Sequence, residues 1–171
     1  MSIKIFNNFL EPLFIKEIKK FVYSNISKNK WKTNLSWGEN IRKSSSIVSI
    51  LNLKEHKEIY QTVNNKFNLL FYEETNNKEM FINYYIWHNL SYIPFHHDRR
   101  YDLSSTIYLN EEWHKDYGGL FLYEEGPEMK AIVPEFNKCI VNTSKVLHGT
   151  SLTTMDSPYR ETIQIFFENI I

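Results

Sequence analysis

The chain has 171 residues, with 20 Lys and Arg against 20 Asp and Glu, one cysteine and 16% aromatic residues. That length suits one domain over residues 1–171, large enough to bury a core without disulfides. The balanced charge gives no bulk field for nucleic acid, and no apolar window is long enough to span a membrane.

The N-terminal stretch MSIKIFNNFLEPLF lacks the basic start, unbroken apolar run and small-residue cleavage site of a secretory signal. Leu10, Phe14, Ile18, Phe21 and Val22 then recur at helical spacing. Pro12 stands near the start, where its missing N–H costs nothing. RKSSSIVSI reads as a strand. His56, Tyr60, Val63, Phe67 and Leu70 mark a second helix. From about Met80 the pattern changes to short segments rich in Ile, Tyr, Phe and Val: FINYYIW, YIPFHH, SSTIYLN, GLFLYEE, KCIVNTS and YRETIQIFFENI. Short strands at this spacing predict a sandwich or barrel, and helices followed by strands predict α+β with the helices on one sheet face. Gly118 and Gly119 mark a turn or a close backbone approach before GLFLY. Cys139, in KCIVN, reads as a buried core thiol, and a lone thiol fits a reducing cytoplasm.

The chemistry-bearing residues begin in PFHHDRR. Residues two apart on a strand share a face, so His96 and Asp98 point one way and His97 the other. H-x-D alone also arises as the polar end of an edge strand. His148, in KVLHGT, adds a second imidazole from a distant strand-like segment. Two histidines and one carboxylate form a facial triad suited to non-haem Fe(II), and the same residue types also serve zinc. Arg160 follows in PYRETIQIFF, on the same strand face as Thr162 and Gln164. If that face points inward, Arg160 is a buried cation in need of an anion such as a dicarboxylate. The alternative is a rim arginine paired with Glu161 or Glu168.

H-x-D, then a distal His, then an Arg about a dozen residues later, resembles the Fe(II)/2-oxoglutarate-dependent dioxygenases, in particular their prolyl 4-hydroxylase-like branch. The likeness runs over residues 81–167. STIYLNEEWHKDYGGLFLYEEG is similar to the family's segment after H-x-D, IVPEFNKCIVNTSKVLHGT to the strand pair leading to the distal histidine, and IRKSSSI to a short upstream strand. The resemblance implies a double-stranded β-helix (jelly-roll) core with N-terminal helices packed outside. It implies Fe(II) on His96, Asp98 and His148. Arg160, with Thr162 and Tyr108, would take the far carboxylate of 2-oxoglutarate, and Tyr85, or Tyr84 beside it, would line the cosubstrate pocket. The family's Gly-containing loop before H-x-D is replaced here by IWHNLS.

The implied activity is hydroxylation of a substrate C–H with O2 and 2-oxoglutarate, ascorbate supporting the iron. Asp98 argues for hydroxylation, because related halogenases lack this carboxylate. The expected substrate is a prolyl residue in a polypeptide, reached through a groove formed by TNLSWGEN and IWHNLS with Trp37 and Trp87. The main alternative is a free amino acid or other small molecule. A non-catalytic jelly-roll binding module and a zinc hydrolase are the rivals from other classes; both leave Arg160, Thr162 and Tyr108 without a joint role. His88 and His114 are expected at the surface or in loops, Arg99 and Arg100 at the site mouth, and Trp113 packed under a loop. The protein is expected to act as a monomer or homodimer, with no nucleic-acid or membrane partner.

Overall fold

A computed structural model of the protein describes residues 3–24, 26, 31–33, 37, 39, 41 and 48–170. Strand β1 (Ile3–Phe6) leads into helix α1 (Pro12–Ser24), which has Pro12 as its first residue and buries Ile15, Ile18 and Val22 along one stripe. Strands β2 (Lys32–Thr33) and β3 (Val48–Asn52) precede helix α2 (Lys57–Leu70). His56 caps α2, its ring nitrogen accepting the Ile59 N–H, and Ile59, Val63 and Phe67 form its buried stripe. A single further turn, α3 (Tyr72–Thr75), leads into the β region.

The β region contains β4 (Lys78–Trp87), β5 (Ile93–His96), β6 (Leu103–Tyr108), β7 (Phe121–Glu125), β8 (Glu128–Ile132), β9 (Cys139–Asn142), β10 (His148–Thr150) and β11 (Arg160–Asn169). They form two antiparallel sheets, a seven-stranded one ordered β1-β9-β6-β11-β4-β3-β2 and a four-stranded one ordered β5-β10-β7-β8. Apart from the β7–β8 hairpin within the small sheet, strands 4 to 11 alternate between the sheets in the manner of a jelly roll.

Alternation along the large sheet separates two environments. One face carries Ile82, Tyr84, Leu103, Ile107, Ile163, Ile165 and Phe167 and packs against α1 and α2. The other face turns toward the small sheet. There the paired strands set side chains in rungs: Trp87 with Arg160; Tyr85, Thr162 and Tyr108; Asn83, Gln164 and Thr106; Phe81, Phe166 and Ser104. The helices therefore cover the outside of one sheet and leave the space between the sheets open.

Both helices and the six β segments predicted from sequence are present. Of RKSSSIVSI, Val48 to Ile50 belong to β3 and residues 42–47 lie outside the described residues. IKIF and EMKAI also form strands, β1 and β8; both are short, lie at sheet edges and lack clear period-two alternation. IWHNLS is only partly a loop, because Ile86 and Trp87 complete β4 and residues 88–92 make the turn. Cys139 is buried beside the Ser105 hydroxyl, and burial pushes its thiol up to about 12. Among the described residues no helix is long and apolar enough to cross a membrane.

Phe67 is fully buried and its ring meets Phe9, Phe71 and Phe167, joining α2 to the large sheet. Phe67→Ala is expected to lower the unfolding free energy by about 3–5 kcal/mol in a denaturant titration. A loss below about 1 kcal/mol would mean that α2 does not carry the core.

Candidate active site

His96 is the last residue of β5, and His148 opens β10 and lies directly across from it. Between His148 and Thr150 the register slips, so that Thr150 faces Ile93. Such irregularities locally bend and twist a strand pair. Gly149 permits the close approach, since a Cβ there would lie 2.9 Å from the Ile93 carbonyl oxygen. Asp98 follows after the strand has ended, in a tight turn closed by the Tyr101 N–H on the Asp98 carbonyl. The turn, rather than strand alternation, brings Asp98 back to His96. His97 points away, its ring nitrogen 2.8 Å from the Lys145 carbonyl.

The two imidazoles are oriented alike. Nδ1 of His96 lies 2.8 Å from the Pro94 carbonyl and Nδ1 of His148 lies 2.9 Å from the Val146 carbonyl. A carbonyl only accepts, so both Nδ1 atoms carry a proton and both rings turn Nε2 into the site. Those Nε2 atoms point at Asp98, 3.6 Å and 3.4 Å from its two carboxylate oxygens. One donor atom from each residue falls within 4.8 Å of the others. Donors sharing one ion at about 2.1 Å lie roughly 3 Å apart, so a small contraction closes this set on a cation. Burial holds His148 below the ordinary histidine value, against the pull of Asp98, which keeps the imidazole in its ligating form at neutral pH. Phe121 stacks on its ring at 5.3 Å.

The triad opens on a cavity of about 580 Å³ between the sheets, with Arg160 and Trp87 also in its wall. Arg160 is only 3% exposed and pairs with neither Glu161 nor Glu168. Glu161 is held by Lys19 at 2.6 Å and by Tyr23, and Glu168 by Arg100. The guanidinium donates one hydrogen bond, 2.6 Å to the Gly119 carbonyl, while its buried Nε has no partner among the described residues. Desolvation lowers the Arg160 pKa to about 10, so the group stays cationic at neutral pH. Gly119 has φ +64°, and a Cβ there would lie 3.0 Å from the guanidinium, so glycine keeps the carbonyl within reach.

Tyr108 and Tyr85 share this wall with Arg160; burial pushes the Tyr108 hydroxyl up to about 12 and that of Tyr85 up as well. Tyr84 lies on the opposite face of β4, in the core under the helices. Thr162 occupies the rung between Tyr85 and Tyr108, but its hydroxyl accepts from the Trp87 indole N–H at 3.0 Å and from the Gln164 amide at 3.3 Å. Both bonds use the hydroxyl as acceptor and fix those neighbours, leaving its O–H free to donate. Trp87, which the sequence places both at the end of the FINYYIW segment and in the IWHNLS loop, is buried with its ring 4.9 Å from the Arg160 guanidinium. Its cross-strand register with Arg160 carries no local sequence signal. Trp37 stacks on Tyr85; the rest of TNLSWGEN apart from Thr33 and Glu39 lies outside the described residues.

Arg99 and Arg100 line the mouth. His88 contacts Ser49 and Tyr159, His114 is exposed and caps a short 3-10 turn, and the Trp113 indole N–H bonds the Gly118 carbonyl.

No protein-family model matches the chain, and no curated protein matches it. Solved structures do. A prolyl-4-hydroxylase from Pseudomonas putida superposes with a TM-score of 0.74 at 13% identity, covering 99% of this chain and 94% of that one. A prolyl hydroxylase from Trichoplax adhaerens, solved with a hypoxia inducible factor peptide fragment, gives 0.79 at 14% identity, covering 98% and 84%. The chain has the jelly-roll fold of these oxygenases. An oxidoreductase of the 2OG-Fe(II) oxygenase family from Burkholderia pseudomallei is similar too, at 0.73 and 12% identity over 98% and 85%.

If the triad holds a divalent cation, Mn(II) should bind once per chain. Asp98→Ala should weaken binding beyond the roughly 10–100-fold that loss of an outer-shell partner causes, while His97→Ala should leave it unchanged. Titration followed by the paramagnetic resonance of free Mn(II) reads both. A loss on His97→Ala with none on His96→Ala would reverse the assignment.

Proposed function

We propose that the protein is an Fe(II)- and 2-oxoglutarate-dependent oxygenase that hydroxylates a substrate C–H bond. One observation carries the reading. The same cavity contains a His/Asp/His donor set with both Nε2 atoms turned into the site and a buried arginine whose Nε lacks a partner. A metal alone satisfies only the first, and a carboxylate alone only the second. A dicarboxylic keto acid that also binds the metal satisfies both.

In this reading His96, Asp98 and His148 would hold the iron. Arg160 takes the far carboxylate of 2-oxoglutarate with its planar fork, and the Tyr108 hydroxyl donates beside it. Trp87 supports the guanidinium face, Thr162 fixes Trp87, and Tyr85 forms the adjacent wall. Phe121 and Ile140 keep the interior apolar, which strengthens every charge interaction in it. Bound iron and 2-oxoglutarate supply the oxidising power: O2 is consumed, 2-oxoglutarate goes to succinate and CO2, and one oxygen atom enters the substrate C–H. The protein's part is to hold cosubstrate and substrate in reacting register.

The proposed substrate is a prolyl residue in a polypeptide, supported by the fold likeness to prolyl hydroxylases, one of them solved with a peptide bound. The lone thiol, buried and unreactive, is consistent with a cytoplasmic setting. The test is aerobic incubation with Fe(II), ascorbate, 2-oxoglutarate and proline-containing peptides, with succinate and product mass as readouts. A peptide gain of one oxygen per succinate supports the reading. Arg160→Ala should cost about 2–5 kcal/mol of 2-oxoglutarate binding, the loss expected for one partner of a desolvated charge pair, with Mn(II) affinity retained. Arg160→Lys should recover only part, because a point charge replaces a planar fork. Unchanged 2-oxoglutarate dependence in Arg160→Ala would remove the arginine from the site.

A further inference from the structure

The chain as a whole is neutral, yet its cavity wall is not. The charged residues lining the cavity are Lys32, Arg99, Arg100 and Arg160 against one carboxylate, Asp98. The inner charges balance on the oxygenase reading: divalent iron and Arg160 are offset by Asp98 and the two carboxylates of 2-oxoglutarate. Arg100 is paired with Glu168, so Lys32 and Arg99 are then left over, both exposed at the outer part of the cavity.

Nearby acidic groups do not neutralise these two. Asp102 is taken by Lys78 at 3.0 Å and Lys145 at 3.7 Å. Glu168 is taken by Arg100 through two of its nitrogens. Neither Lys32 nor Arg99 has an ion-pair partner among the described residues. The backbone of Arg99 and Arg100 forms the middle of the turn that Asp98 opens and the Tyr101 N–H closes. Arg100 lies beside the Tyr101 ring, and Tyr101 packs on Phe166 at 4.5 Å. Beneath this rim, Asn83, Gln164 and Thr106 form a polar rung on the cavity floor.

We infer that the substrate is acidic, its carboxylate charge drawn by the unpaired Arg99 and Lys32 at the outer cavity wall while its reacting C–H reaches the triad. This deepens the oxygenase reading and rests on it. The carboxylate can belong to acidic side chains flanking the reacting residue of a peptide, or to a free amino-acid derivative.

The test uses the full chain and a charge-matched set of probes. One arm is proline peptides flanked by glutamate, glutamine or lysine. The other is N-acetylated amino acids and their amides. Succinate formation is measured with Fe(II) and 2-oxoglutarate, and binding of the same probes to the Mn(II)- and 2-oxoglutarate-loaded protein is measured by calorimetry. Acidic members of one arm should bind and stimulate at least about fivefold better than their neutral partners, the upper value for one exposed pair. The preference should shrink as salt shortens the screening length, and Arg99→Glu with Lys32→Glu should reverse it toward lysine-flanked or amidated probes. Arg100 is left intact because its loss would strand Glu168. Which arm responds identifies the carboxylate's source. Equal response to acidic and basic members, or binding of no acidic probe, overturns the inference. If the protein takes up neither Mn(II) nor 2-oxoglutarate, it is the oxygenase reading that fails.

Discussion

A buried arginine with too few partners is the constraint on which the site depends. Arg160 gives up its hydration at the end of β11 and receives in return one carbonyl, from Gly119, and the face of one indole, from Trp87. A carbonyl and a π-face do not replace an anion for a desolvated guanidinium. The surrounding residues nevertheless hold it there. Its strand is the centre of the large sheet, its indole neighbour is pinned through Thr162, and the two glutamates nearest in sequence are committed to Lys19 and Arg100. The cation is thus kept available for a ligand that enters the cavity.

The fold divides the work between the sheets. The large sheet carries hydrophobic residues on one face, where α1 and α2 cover them, and rungs of tyrosine, threonine and amide side chains on the other. The small sheet places His96 and His148 at the paired ends of β5 and β10, where a slip in register and a glycine allow the strands to close on each other. One strand ladder sets the arginine and another sets the histidines, so the span between them is fixed by the sandwich rather than by a loop. A site built in this way is pre-organised before any ligand arrives.

Much of this was legible in the sequence, for identifiable reasons. The helices announce themselves by stripes that end in Val22 and Phe67, and the strands by β-branched and aromatic runs. His96, Asp98, His148 and Arg160 stand out because polar groups interrupt apolar segments in a recognisable order. What was hidden depends on pairing across strands. Trp87 faces Arg160 only because β4 and β11 run antiparallel in one register, and nothing local to either segment states it. That Thr162 accepts from both Trp87 and Gln164 is likewise set by cross-strand pairing and same-face spacing in the fold. Tyr84 and Tyr85 are equivalent in sequence and are separated by the face each takes. Edge strands β1 and β8 escape notice because they are half-exposed and need little hydrophobic patterning.

The most direct measurement is a crystal structure of the protein grown anaerobically with Mn(II) and 2-oxoglutarate, with the metal located by its anomalous scattering. The account predicts one metal per chain bound by Nε2 of His96, Nε2 of His148 and the Asp98 carboxylate, with the far carboxylate of 2-oxoglutarate on Arg160 and Tyr108. A metal held through Nδ1 or away from Asp98, or a 2-oxoglutarate whose far carboxylate leaves Arg160 without an anion, would contradict it.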